Sequence, residues 1–170
     1  MSKHLILTAT FAITLAACGG NDSETASGTF DDGDGNAGSY SVRGNDENSE
    51  TVIQSDKGEV RIATGDRALG DLPMGITLYP GAAVQSSMTG TGDGQSGAML
   101  VFQTGDSVED VIAFYRKQLK SKGIDVTSEV RSGDMQMIGG ERANGEGVHI
   151  SANASPDGGT IATVMAGGKN

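Results

Sequence analysis

The chain has 170 residues and a formal charge of −10, from 12 basic and 22 acidic side chains, with one cysteine. This length suits a single domain of ordinary size with an additional tail. An acidic surface repels phosphate backbones and anionic lipid headgroups, so the composition argues against a nucleic-acid partner and against membrane binding through a basic patch. One cysteine cannot form an internal disulfide, so burial alone must hold the folded part together.

Residues 1–17 have the pattern of a secretory signal peptide, with a basic start, an apolar run at 5–15 and small residues before Cys18. The run is shorter than the roughly 20 residues that a membrane-spanning helix needs. Leu15-Ala16-Ala17-Cys18 resembles the lipobox of bacterial lipoproteins. The resemblance implies cleavage after Ala17, a thioether-linked diacylglycerol on Cys18 and acylation of the new amine. The alternative is an ordinary cleaved signal in which Cys18 is incidental.

Lipidation at Cys18 predicts a protein anchored in the cell envelope by its acyl chains. Two or three acyl chains bind a bilayer stably, whereas a single chain gives only marginal membrane binding. Gly19 stands where an Asp in Gram-negative lipoproteins retains the product at the inner membrane. The resemblance therefore favours the periplasmic face of the outer membrane. Removal of Lys3 with the signal changes the formal charge from −10 to −11 for residues 18–170.

The first part of the mature chain is acidic and poor in large apolar residues. Residues 18–38 are predicted to be a flexible tether, because such a segment cannot bury enough surface to offset its ordering entropy. Residues 39–66 are predicted to be an accessory β-hairpin region, with a hairpin at 51–63 and a doubtful third strand at 40–43. Either this region docks on a larger body or it stays loose.

Residues 67–170 are predicted to be the main domain. Tyr79-Pro80-Gly81 is typical of a type II turn, and a strand is expected at 83–88. The glycine-rich stretch at 89–97 is predicted to be the flexible tip of a hairpin that joins this strand to the next one. Residues 98–103 are apolar enough for a central strand of the sheet.

A helix is predicted at 108–120, capped by Ser107 in a Ser-x-x-Asp box with Asp110 and ended by Gly123. Its apolar residues repeat at helical spacing and form one stripe, which consists of Val108, Val111, Ile112, Tyr115 and Leu119. Four apolar alternations then predict a meander of strands at 124–130, 135–138, 148–152 and 161–165. The predicted fold class is therefore α+β, with two strands, one helix and a four-strand meander, the helix packed on one face of an antiparallel sheet, after a disordered acidic tether.

A second resemblance covers roughly residues 72–126. Its motifs are Leu72-Pro73, Tyr79-Pro80-Gly81-Ala82, Phe102-Gln103-Thr104, Asp106-Ser107-Val108-Glu109-Asp110-Val111, Phe114-Tyr115 and Lys122-Gly123. In this order they resemble a recurrent family of secreted bacterial domains with a Tyr-Pro-Gly-Ala motif and a Phe-Tyr helix. That family usually has Trp after the last Gly, where this chain has Ile124. The resemblance implies a fold and a compartment, and it transfers no catalytic residue.

Several stretches imitate functional motifs without the required context. Residues 92–97 match Gly-x-Gly-x-x-Gly, but they lead into a strand instead of opening a helix, and they fall one residue short of a Gly-x-Ser-x-Gly elbow. His149 lies between two apolar strand residues, which predicts a surface histidine. Residues 32–43 begin like a calcium loop but have Ala37 and Arg43 where Gly and Glu are needed, which favours an acidic linker.

Six methionines of the mature chain could in principle bind Cu(I), but Met also fills gaps in an aromatic-poor core, and the core interpretation is preferred. They are Met74, Met88, Met99, Met135, Met137 and Met165. No cofactor, metal ligand or catalytic residue is therefore predicted, and the predicted site residues are Ala17 and Cys18 at the signal cleavage and lipid attachment point.

The leading functional prediction is a lipid-anchored, non-catalytic envelope module with a protein or glycan partner. The alternative is a periplasmic carrier of a small ligand or of copper. An enzyme is disfavoured because the usual nucleophile and base pairs are absent.

Overall fold

A computed structural model describes residues 24–31, 37–68 and 72–169 of the chain. Its elements, in chain order, are β1 (Glu24–Asp31), β2 (Ala37–Gly44), β3 (Ser49–Ser55), β4 (Gly58–Thr64), β5 (Ala83–Gly92), β6 (Gln95–Thr104), α1 (Val108–Ser121), β7 (Asp125–Ser132), β8 (Met135–Glu141), β9 (Gly147–Ala154) and β10 (Thr160–Lys169). Short 3-10 turns at Gly65–Arg67 and Pro73–Gly75 lie between β4 and β5.

The ten described strands form one antiparallel sheet in the order β1-β2-β3-β4-β5-β6-β10-β9-β8-β7. The first six strands lie side by side in chain order, and residues 65–82 form the long connection between β4 and β5. Helix α1 then carries the chain from β6 to the far edge of the sheet, and the meander from β7 returns inward until β10 pairs with β6. The sheet is therefore continuous, and β1 and β7 are its two edges.

Helix α1 forms where the sequence predicts it. The Ser107 hydroxyl accepts a hydrogen bond from the Asp110 amide at 3.2 Å, which satisfies one free N–H of the first turn. All five residues of the predicted apolar stripe are buried, and the chain leaves the helix at Gly123, whose φ is +67°. The helix prediction is confirmed.

The core lies between the sheet and a layer made of α1 and residues 72–82. Helix α1 packs across β7 to β10, while the preceding segment contributes Leu72, Ile76 and Tyr79 beside it. The Tyr79 ring meets the Phe114 ring edge to face at 5.0 Å between centroids, a favourable aromatic geometry. This layer covers one side of the second half of the sheet.

The predicted fold class is wrong. Instead of two strands and a four-strand meander, the described chain forms a single ten-stranded sheet in which β4 pairs with β5 and β6 with β10. Local alternation located individual strands, but the sequence carries no local signal for which strands pair, because pairing depends on long-range contacts.

The predicted disordered tether is also wrong where the structure describes it, because residues 24–31 and 37–38 lie in strands β1 and β2. The glycines of these strands face aromatic rings of the partner strand: Gly28 is paired with Tyr40, and Gly38 with Phe30. A ring lying over a glycine restores the cross-strand packing that the glycine lacks. Composition alone missed this pairing.

The predicted hairpin between β5 and β6 forms, but residues 89–97 continue the two strands into a tight turn and are not a flexible tip. Asp93 and Gly94 have φ values of +50° and +71°, as the two central residues of a type I′ turn require. The flanking glycines therefore extend β5 and β6. The Tyr79-Pro80-Gly81 turn forms as predicted, with the Ala82 amide donating to the Tyr79 carbonyl at 3.1 Å and Gly81 at a φ of +73°.

Candidate functional site

Alternation along the strands separates two faces of the sheet. On β6, Leu100 and Phe102 are fully buried under the helix layer, and Met99, the residue before Leu100, faces the opposite side. On β10, Val164 is fully buried whereas Met165 is 42% exposed. Because residues paired directly across antiparallel strands share a face, this division extends over the whole sheet. The side opposite α1 is called the open face below.

The open face holds a hollow of about 790 Å³, a size usual for a small-molecule site. Its lining comes from seven neighbouring strands, from Val60 on β4 to Ser128 on β7. Six strand spacings of about 4.8 Å would separate these two strands by about 29 Å on a flat sheet. The hollow is therefore a long groove that runs across the strands of the open face.

Four glycines in register form the floor of the hollow. Gly90 pairs with Gly97, Gly97 with Gly167, and Gly167 with Gly147, across β5, β6, β10 and β9. A Cβ atom built on Gly97 or Gly147 would have its nearest neighbour at 3.8 Å, and on Gly90 at 3.9 Å. Side chains at these three positions would therefore fit without a clash and would fill the hollow, whereas a Cβ on Gly167 would lie 2.7 Å from the Ser96 carbonyl oxygen. We call these four residues the glycine floor.

A row of larger side chains lies beside the glycine floor. Met88 pairs with Met99, Met99 with Met165, and Met165 with His149, so the four residues occupy consecutive positions of one register row. Met88 and Met165 are 38% and 42% exposed. We call these four residues the methionine row. It gives the hollow a flexible, apolar wall.

At the end of the row, Gly139 leaves space between two polar side chains. A Cβ on Gly139 would lie 2.5 Å from the Ser128 hydroxyl and 3.4 Å from His149 Nδ1. Within the described part of the chain, the imidazole of His149 makes no hydrogen bond or ion pair. Ser128 and His149 therefore do not form the hydrogen-bonded pair that an activated serine nucleophile needs.

Charged groups border the hollow at the β8–β9 turn. Glu141 lines its rim, and Arg142 donates a hydrogen bond to Glu146 at 2.8 Å, which lowers the pKa of the Glu146 carboxyl. Arg142 also donates to the backbone carbonyls of Met74 and Lys122, each at 3.2 Å. Arg142 therefore connects the β8–β9 turn to residues 72–82 and to the end of α1.

A second, more polar hollow of about 390 Å³ lies beside the start of α1. Gln136 there donates to Glu109 at 2.8 Å and accepts from Arg131 at 2.9 Å. Nearby, the Tyr79 hydroxyl donates to Asp106 at 2.7 Å, and this hydrogen bond, with burial, raises the pKa of Tyr79 to about 12. These groups satisfy one another, as structural polar groups do.

The predicted cleavage and lipid attachment residues, Ala17 and Cys18, lie outside the described residues, as does the calcium-like start at 32–36. Among the described residues, no three His, Cys, Asp or Glu side chains are grouped as metal ligands, and no helix is long and apolar enough to span a bilayer. Sequence reasoning missed the hollow. The signals present were the glycines at 90–97 and the methionines at alternate strand positions.

Comparison with known proteins gives one match. Residues 84–159 match a family described as START domain-like, a similarity that covers 76 of the 170 residues. The matched range begins one residue into β5, contains β6, α1, β7, β8 and β9, and ends just before β10. No curated protein and no solved structure matches the chain. The similarity is compatible with a ligand-binding module and specifies no ligand.

Proposed function

We propose that this protein binds an apolar small molecule in the hollow of the open face and is anchored to the bacterial cell envelope through lipid on Cys18. The glycine floor beside the methionine row is the observation that carries the binding proposal. A strand face that merely contacts water normally has polar side chains, whereas this face is apolar and holds a groove. The similarity of residues 84–159 to a START domain-like family supports a ligand-binding role.

The chemistry of the lining favours the small-ligand alternative over a glycan partner. Sugars are bound through many hydrogen bonds, and the side chains of the floor and row offer one imidazole, that of His149. Methionine adapts its shape to different apolar partners, because it is unbranched and has three rotatable bonds. A neutral, largely hydrocarbon molecule therefore fits this lining best.

The same lining supports a non-catalytic role. The titratable side chains among the lining residues are His149 and Glu141, and neither is hydrogen-bonded to a nucleophile. General acid–base catalysis needs such groups within hydrogen-bond reach of a reacting atom. A binding module needs only the shape and the apolar surface.

Binding of Nile red, a neutral dye whose fluorescence rises in apolar surroundings, tests the proposal on the full chain. Gly97→Leu and Gly147→Leu each place a side chain in the hollow where a Cβ has room, and we expect each to weaken dye affinity at least tenfold. Gly105→Leu is the matched control, since its Cβ would likewise meet no clash, with nothing within 4 Å, and the residue does not line this hollow. Unchanged affinity in both floor variants, or an equal loss in the control, would refute the site.

The anchor is tested separately. Cells fed labelled palmitate should incorporate it into the wild-type protein and not into Cys18→Ala. Incorporation into neither protein, or equal incorporation into both, would show that Cys18 carries no lipid and would remove the basis for the envelope location.

A further inference from the structure

We propose that Met88, Met99, Met165 and His149 form a binding site for a soft monovalent cation, namely Cu(I) or its redox-inert analogue Ag(I). The four residues are successive partners on β5, β6, β10 and β9, all on the open face. The site lies beside the glycine floor, and it does not depend on whether an apolar molecule binds there.

Register places these side chains within reach of one ion. Directly paired residues of antiparallel strands have Cβ atoms about 4.5–5.5 Å apart. Met99 is the middle thioether, with Met88 on one side and Met165 on the other. Because a methionine side chain has three rotatable bonds, the outer two can bend toward Met99 and bring three sulfurs to a single ion. His149, paired with Met165 and three strands from Met88, can bind an ion that lies toward Met165 and takes the place of Met88 there.

The donor set selects a soft cation. Thioether sulfur prefers Cu(I), imidazole suits copper, and carboxylate oxygens suit magnesium, calcium and manganese. The row contains no carboxylate, so a hard cation would find no charged ligand within it. His149 is available as a ligand, since within the described part of the chain its ring makes no hydrogen bond or ion pair.

Core packing does not account for these methionines. Of the six methionines after Met1, Met74 packs against the core, whereas Met88, Met99, Met135, Met137 and Met165 lie on the open face. Exposures of 38% for Met88 and 42% for Met165 leave part of each residue accessible from solvent. β-Branched and aromatic residues are preferred in strands, so three adjacent methionines there are not explained by strand propensity.

Competition with the chromophoric Cu(I) chelator bicinchoninate, without oxygen and with a reductant, tests the site. The full chain carries Cys18→Ser in every sample, because a free thiol would itself bind Cu(I). We expect this protein to withdraw one Cu(I) per chain. Met88→Leu, Met99→Leu and Met165→Leu combined should weaken Cu(I) binding at least 100-fold, while Met135→Leu, on the same face but outside the row, should leave it unchanged.

Leucine keeps the apolar volume and removes the sulfur, so the triple variant should still bind Nile red. Loss of Cu(I) with retained dye therefore separates this proposal from the proposed function. Failure of the wild-type sequence to compete, equal Cu(I) binding by the triple variant, or an equal loss in Met135→Leu would overturn the metal site.

A second measurement needs no variant in the row and stays decisive if the triple variant fails to fold. In the Cys18→Ser protein with ¹³C-methyl methionine, one equivalent of Ag(I) should shift the methyl signals of Met88, Met99 and Met165. The signals of Met74 and Met135 should stay in place. Shifts distributed evenly over all methionines, or none, would contradict the site.

Discussion

Two adjacent residues of β6 provide the sharpest test of the two-faced sheet. Leu100 is 0% exposed and lies in the core beneath α1, while Met99 is half-buried and faces the hollow. Truncating each to alanine removes a side chain of similar size from opposite faces of one strand. If the faces differ as described, Leu100→Ala should lower the free energy of unfolding more than Met99→Ala does. Met99→Ala should in turn weaken ligand binding more than Leu100→Ala does.

The expected magnitudes follow from burial. Leu→Ala in a closed core costs about 2–5 kcal/mol, because the lost transfer free energy is joined by the cost of a cavity. Since Leu100 is completely enclosed, we expect about 3–4 kcal/mol. Met99→Ala removes half-buried atoms beside open space, leaves no closed cavity, and should cost about 1 kcal/mol. With a urea m-value of about 2 kcal/mol/M, the two midpoints should differ by about 1–1.5 M.

Urea unfolding followed by far-UV circular dichroism gives both free energies of unfolding, and Nile red titration gives both affinities. Met99→Ala should weaken dye binding several-fold, whereas Leu100→Ala, measured well below its midpoint, should bind like the wild type. A free-energy loss for Met99→Ala as large as that for Leu100→Ala would mean that the open face is a second packed core, and the reasoning would fail.

Three further predictions concern the helix layer. Ser107→Ala should lower the free energy of unfolding by about 1 kcal/mol through loss of the N-cap, as measured by urea unfolding. Tyr115→Phe should leave the free energy of unfolding unchanged or raise it, because the buried Tyr115 hydroxyl has no hydrogen-bond partner among the described residues. Tyr79→Phe should instead cost about 1–2 kcal/mol, because it removes the hydrogen bond to Asp106. Equal costs for the two substitutions would contradict this assignment. The cost of Tyr79→Phe should be complete below pH 10 and shrink as the pH rises toward 12, because the folded state raises the pKa of Tyr79 to about 12 and favours the neutral phenol; a cost independent of pH over this window would refute the shift.

Local signals predicted the local structure well. The stripe of α1, its Ser107 cap and the turn at Gly81 each depend on residues within a few positions of one another, and each forms as predicted. The alternation around His149 also predicted its side correctly, because Val148 and Ile150 on either side of it are buried. Each of these features depends on residues that are close in sequence, so a short stretch of sequence is enough to predict it.

Pairing between distant strands was not predictable in the same way. Nothing local in Phe30 or Tyr40 shows that each ring will lie over a glycine of the partner strand, so the segment was interpreted from composition as a tether. Once β2 pairs with β3, each further strand gains a template for its hydrogen bonds. The sheet therefore extends into a region whose sequence alone favours disorder.

The site was missed for a related reason. Gly90 and Gly97 were interpreted as loop residues, because glycine is depleted in strands. In the folded sheet they align with Gly167 and Gly147, which are far away in sequence, and their missing side chains create the hollow. Likewise, the methionines form a row only through register. Both features depend on pairing that a single strand does not encode.

The central claim is that the open face is a binding surface, and mapping of a bound probe on the full chain by NMR tests it most directly. With Nile red added, we predict that the amide signals of Gly90, Gly97 and Gly147 and the methyl signals of Met99 and Met165 shift together and saturate together. Shifts confined to α1, or no saturable shift at the glycine floor, would contradict the account.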